Sequence, residues 1–159
     1  MKVTLIAVGK LKEKYLKEGI SEYLKRISRF CDMEILEVED EQAPDNLSLA
    51  QEQQIKKKEA DRILKKVKEG SCVIVLDVKG EKMGSECFAS KLNSFFISGS
   101  SHLTFIIVGS LGIDKSLIDV SRFRFSMSEL TFPHQLARLI LVEQLYRAFK
   151  IINGETYHK

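Results

Sequence analysis

The chain has 159 residues, 44% of them hydrophobic and 30% charged, with a formal net charge of +3. That length builds one sizeable core and is too short for two ordinary domains, so residues 1–159 are expected to form a single domain. The small positive charge permits an anionic partner such as nucleic acid without demanding one, and no stretch approaches the roughly 18 uninterrupted apolar residues of a membrane helix.

The opening "MKVTLIAVGKLKEKY" carries an apolar run too short and too soon broken by charge for a signal peptide, so a cytoplasmic location is expected. Within it, Val3 to Gly9 is a β-branched run closed by glycine, the pattern of a strand buried on both faces of a parallel sheet. Between Lys12 and Phe30, the residues Tyr15, Leu16, Ile20, Tyr23, Leu24 and Ile27 recur at three- and four-residue spacing and predict an amphipathic helix. Met33 to Val38 is a second strand, and "EVEDEQAPDN" after it is an exposed acidic loop. Asn46 or Ser48 then caps a second helix that runs to Gly70. Its "IKKKEADRILKKVKEG" looks basic, but Glu59, Asp61 and Glu69 interleave the lysines as on a solvated helix face; contact with RNA is the sharper alternative.

Cys72 to Val78, Leu103 to Gly109 and Arg122 to Ser128 are three further strand-like runs, separated by segments with helical spacing. Some five strands alternating with helices make an α/β fold, with a mainly parallel sheet, helices on both faces and right-handed crossovers. No repeat or linker divides the chain. Cys31, Cys72 and Cys87 are widely spaced, with neither a Cys-x-x-Cys pair nor a histidine at ligand spacing, so they read as reduced core thiols and no metal is expected. His102, just before the fourth strand, reads as a surface residue.

Ligands of open α/β sheets bind beyond the carboxyl ends of the strands. After the first strand, "VGKLKEKY" lacks the Gly-x-Gly-x-x-Gly cradle, and no P-loop occurs anywhere, which argues against dinucleotide enzymes, NTPases and nucleotide switches of the flavodoxin type. After the fourth comes "VGSLGID", where Gly109 and Gly112 allow positive φ and close approach of a ligand; a plain strand-to-helix turn is the alternative. After the fifth comes "SMSELTFPHQ", whose Thr131 is placed to cap a helix with Pro133 in its first turn. Its non-helical backbone groups are candidates for reading a flat polar ligand such as adenine, with His134 beside them.

The final helical segment, "LTFPHQLARLILVEQLYRAFK", is apolar on nearly every side. Ala137, Leu141, Leu145, Ala148, Phe149 and Ile152 form a stripe that should face the sheet, and Arg138 lies inside it. An unpaired buried charge costs about 3–5 kcal/mol, so Arg138 must meet a carboxylate, a phosphate or the end of a strand. On the opposite side Glu143 and Arg147 form a surface pair, while Leu136, Leu139 and Ile140 need a second contact. A neighbouring helix of the same chain and a two-fold subunit interface both supply one.

"FIIVGSLG", "LTFPHQLARLILVEQLYRA" and the terminal "YHK" together resemble the ribosomal large-subunit methyltransferase H family of the SPOUT superfamily, over essentially the whole chain. The resemblance implies a mainly parallel sheet of five to six strands, closed by a C-terminal trefoil knot. It implies a metal-free homodimer that transfers a methyl group from S-adenosyl-L-methionine to N3 of a pseudouridine, in a 23S rRNA stem-loop of the assembled ribosome. It places the cofactor at Leu76, Gly109, Ser128, Glu129, Leu130, Thr131, Phe132 and Pro133. On this reading Tyr157 and His158 orient the base and assist proton loss, and Arg138, His134 and Lys159 contact RNA or the partner subunit. The chain departs from the family's usual pattern at Val108-Gly109-Ser110-Leu111-Gly112, where Gly-Gly-Pro-Glu-Gly is common. It departs again at Glu155-Thr156-Tyr157-His158-Lys159, where a lysine replaces a forked guanidinium. The rival reading is a non-catalytic ribosome-associated α/β binding module, which predicts ribosome binding without affinity for S-adenosylmethionine.

Overall fold

Successive residues of a strand point to opposite faces, and from Val3 to Val8 nearly all are apolar. They form β1 (Lys2–Val8), buried throughout after its first residue. A computed structural model describes residues 1–157. After β1 come α1 (Lys14–Ile27), β2 (Asp32–Val38), α2 (Leu49–Leu64), β3 (Cys72–Lys82) and α3 (Ser85–Ile97). Then follow β4 (His102–Ile107), α4 (Lys115–Val120), β5 (Phe123–Ser126) and α5 (His134–Ile152). The strands make one sheet in the order β2-β1-β4-β3-β5, and every pairing is parallel.

Two apolar layers sandwich this sheet. Leu5 and Ala7 of β1 pack with Phe88, Leu92, Leu141, Leu145 and Phe149 beneath α1, α3 and α5. Ile6 and Val8 pack with Ala60, Ile63 and Leu117 beneath α2 and α4. No helix among the described residues is long and apolar enough to cross a membrane.

The expected five strands and the all-round burial of the central ones are present, with several local differences. Helix α1 begins and ends inside the expected span, and α2 stops at Leu64, well before Gly70. Ser48, not Asn46, caps α2: its side chain accepts the Gln51 N–H while the Gln51 side chain accepts the Ser48 N–H. Strand β3 runs on to Lys82 through a register shift against β5 between Leu76 and Glu81. Gly80 permits this, because a Cβ there would fall 2.7 Å from the backbone of Arg124.

Three single-residue expectations are corrected. Cys31 and Cys72 are buried, with the Cys31 thiol pushed up to about 11 by burial, but Cys87 is exposed on α3. His102 is half-buried, its Nε2 2.8 Å from Thr4 Oγ1. Glu59, read as a solvated charge, is only 6% exposed.

Candidate active site

The carboxyl ends of β3, β4 and β5 open into one cleft of about 540 Å³, a size suited to a drug-sized ligand. Three segments build it. Leu76, Asp77, Val78 and Lys79 come from the irregular part of β3, Ile107 to Ile113 from the end of β4 and the turn after it, and Arg124 to Ser128 and Leu130 to Phe132 from β5 and the loop leading to α5. Lys56 of α2, Ile118 of α4 and His134 and Ala137 of α5 complete the wall. Apolar side chains dominate, including Leu76, Ile107, Ile113, Phe125, Met127 and Phe132.

Phe125 is held from behind by Phe88, whose ring stacks on it at 4.6 Å between centroids. An ion pair spans the polar side. Arg124 Nε donates to Asp77 Oδ2 at 2.8 Å, its Nη2 donates to the same oxygen, and Asp77 Oδ1 accepts the Lys79 N–H at 3.0 Å. This pair ties the irregular part of β3 to β5 across the cleft. After β5, Ser128 Oγ accepts the Leu130 N–H, and the Ser128 carbonyl accepts the Ser126 hydroxyl, which folds residues 126–130 into a tight turn.

Six of the eight expected cofactor positions line this cleft: Leu76, Gly109, Ser128, Leu130, Thr131 and Phe132. Glu129 instead is exposed and pairs with Lys82, and Pro133 is the exposed N-cap of α5, a place expected for Thr131. Gly112 has φ +97, whereas Gly109 does not share that left-handed conformation and has another reason to be glycine. His134, half-buried in the wall, has its pKa lowered by burial and then by the nearby Arg138 charge, so a neutral imidazole faces the cleft.

Arg138 is 1% exposed and meets two of its three expected partners, a strand end and a carboxylate. Its Nη2 donates to the carbonyls of Val8 at 3.0 Å and Gly9 at 2.6 Å, where β1 stops, and Nη1 lies 3.7 Å from the Glu37 carboxylate. The guanidinium thereby fastens the start of α5 to the carboxyl edge of the sheet. Leu139 packs on Gly19 of α1, so part of the outer face of α5 is covered within the same chain.

Tyr157 does not reach the cleft. Its hydroxyl donates to Glu143 Oε1 at 3.2 Å, Arg147 lies over its ring, and its edge meets Tyr146. Glu143 lies roughly 13 Å further along the α5 axis than His134 at the helical rise per residue. The Glu143–Arg147 pair is therefore half-buried beneath Tyr157 and is not the free surface pair of the sequence reading. Burial, with neighbouring Tyr23 and Glu143, pushes the Tyr157 phenol up to about 12. His158 and Lys159 lie outside the described residues.

A family profile described as "Predicted SPOUT methyltransferase" matches residues 1–158. A protein of Acetivibrio thermocellus named ribosomal RNA large subunit methyltransferase H is 67% identical over the full length of both chains. One of the same name from Ruminiclostridium cellulolyticum is 64% identical, again full length. The chain belongs to the SPOUT methyltransferases, in the ribosomal RNA large subunit methyltransferase H family. It is thus a methyltransferase with the parallel α/β architecture of SPOUT proteins. A solved structure described as a probable methylase family protein from Haemophilus influenzae shares that fold, with a TM-score of 0.52 at 11% identity over 99% of this chain and 70% of that one. The loops of the cleft are legible in the sequence, but Asp77, Arg124 and Lys56 are not singled out there. An Asp directly after an apolar strand run was the available signal for the first; the others needed the fold.

Proposed function

We propose that this protein methylates ribosomal RNA of the large subunit, using S-adenosyl-L-methionine as donor and N3 of a pseudouridine in a 23S rRNA stem-loop as acceptor. The observation that carries the reading is the cleft at the ends of β3, β4 and β5, present in a chain with full-length kinship to proteins named as methyltransferases of large-subunit ribosomal RNA. Its apolar walls and turn-rich backbone suit a nucleoside-sized donor, and the neutral His134 sets no second cation beside a sulfonium.

The donor supplies a methyl carbon already activated by positive charge, so the chain needs no metal for this step. Its own task is to hold the acceptor nitrogen about 3 Å from that carbon, in line with the breaking bond. Leu76, Gly109, Ser128, Leu130, Thr131 and Phe132 hold the donor, with Pro133 and Glu129 shaping the loop. N3 of pseudouridine carries a proton at neutral pH, and that proton must leave as the N–C bond forms. Tyr157, held protonated, orients the base and does not take the proton; His158 is assigned to proton removal.

Because Tyr157 sits far along α5 from its own cleft, the complete site joins the cleft of one subunit to the last residues of its partner. Leu136 and Ile140, on the outward stripe of α5 by helical spacing, belong to the interface of this homodimer. His134, in the wall of the cleft, and Lys159 are assigned to contact with RNA or the partner subunit, whereas Arg138, 1% exposed against the end of β1, holds α5 to the sheet instead. The substrate is the assembled ribosome in the cytoplasm, since a small domain with modest positive charge holds a free RNA loop only weakly. The terminal segment is threaded as a trefoil knot, and residues 1–159 act as one domain.

Mass spectrometry of 23S rRNA from cells lacking the protein, and from the same cells complemented with it, tests this reading. An N3-methylated pseudouridine present only on complementation is expected; an unmodified site in both would refute it.

A further inference from the structure

Gly109 is glycine for want of space. Its φ is not left-handed, so its backbone conformation admits other residues. A Cβ built there, however, falls 2.8 Å from Glu59 Oε1 and 3.3 Å from Oε2. Glu59 stands on α2, 6% exposed, and is held in place from its far side: Oε2 accepts the Glu41 N–H at 3.1 Å. One turn later Arg62 donates to the Glu39 carbonyl at 2.9 Å and pairs with the Glu41 carboxylate. The same face of α2 therefore grips the acidic loop after β2 and abuts the turn after β4. Arg62 is spent on Glu39 and Glu41, and no salt bridge to Glu59 is found among the described residues. Burial, together with Asp40 and Glu41, raises the Glu59 pKa, while the Glu41 N–H and Arg62 oppose the rise. A buried carboxyl without an ion pair is costly to keep, and here it occupies the position where a side chain on residue 109 would go.

We infer that Glu59 is a positioning residue for the methyl donor: its carboxyl, held by the Glu41 N–H, lies against the Gly109 backbone, sets the path of the turn along the cleft wall, and admits a side chain at 109 only by moving aside. The inference rests on the reading of the cleft as the donor site.

Calorimetric titration with S-adenosylmethionine and thermal unfolding without ligand, applied to a small set of variants, test it. Gly109→Ala should weaken donor binding about tenfold or more and lower the Tm, as overpacking does. Adding Glu59→Ala to Gly109→Ala clears the space and should restore affinity to within about threefold of Glu59→Ala alone, with recovery of Tm. Adding Glu59→Gln keeps the shape and should restore neither. In turnover the effect should fall on KM for the donor and not on kcat. Normal binding by Gly109→Ala would overturn the inference, and so would a defect that Glu59→Ala leaves untouched, which would show that the added methyl meets the donor itself. Absence of binding by the unmodified protein would instead overturn the donor-site reading, and Glu59's role toward the donor with it. The unfolding arm would still decide whether Glu59 restricts position 109.

Discussion

Replacing Asp77 by alanine removes the carboxylate that joins β3 to β5 across the cleft. Two donors of Arg124 converge on Oδ2, and Oδ1 accepts a backbone N–H from Lys79. A hydrogen bond to a charged group contributes about 1.5–3 kcal/mol. The Asp77 side chain is 9% exposed but Arg124 is 38% exposed, so solvent screening puts the pair near the lower end of that range. With the Lys79 contact added, Asp77→Ala should cost about 2–3 kcal/mol, a fall in Tm of roughly 5–10 °C for a chain of this size. Asp77→Asn keeps a single acceptor oxygen, enough for the Lys79 N–H but leaving an NH2 opposite Arg124, and should recover only the smaller, Lys79 part of that cost. Urea unfolding of Asp77→Ala, Arg124→Ala and the double variant isolates the pair, with an expected coupling of about 1–2 kcal/mol. Donor affinity should fall in the same order, since both residues line the cleft. A coupling below about 0.5 kcal/mol, within the error of additivity, would refute the idea that this pair ties β3 to β5 across the cleft.

His134, with its pKa lowered in the folded state, contributes stability that is complete above its unfolded pKa and is lost as pH falls through the folded value. Denaturant titrations between pH 7.5 and pH 5, on the order of two units spanning a histidine's range, should show falling stability and weaker donor binding, both flattened by His134→Gln. Tyr157→Phe should leave the pH profile of kcat unchanged, because a phenol pushed up to about 12 takes no part in titration near neutrality; a lost basic limb would contradict this. Ile140→Glu should yield monomers by light scattering that retain donor binding but no longer methylate, and a fully active dimer would remove Ile140 from the interface.

Much of the architecture is legible in the sequence because strands buried on both faces leave uninterrupted β-branched runs. The loops of the cleft are legible for a related reason: they follow those runs directly. What escapes the sequence is long-range. The alternation of Lys and Glu around Glu59 has the pattern of a solvated helix, and only the packing of α2 against the turn after β4 shows that one of those charges is buried. The irregular extension of β3 depends on Gly80 passing close to the Arg124 backbone, a contact between segments far apart in the chain. Arg138 shows the middle case: its position within an apolar stripe demands a partner, and the fold decides that the partner is the end of β1.

The central claim is methyl transfer to ribosomal RNA. The most direct measurement incubates the protein and labelled S-adenosylmethionine with whole ribosomes lacking the modification, with separated large subunits and naked rRNA in parallel. Label is expected at a pseudouridine N3 in whole ribosomes, with little in the other two. Tight ribosome binding with no label in any of the three would contradict it.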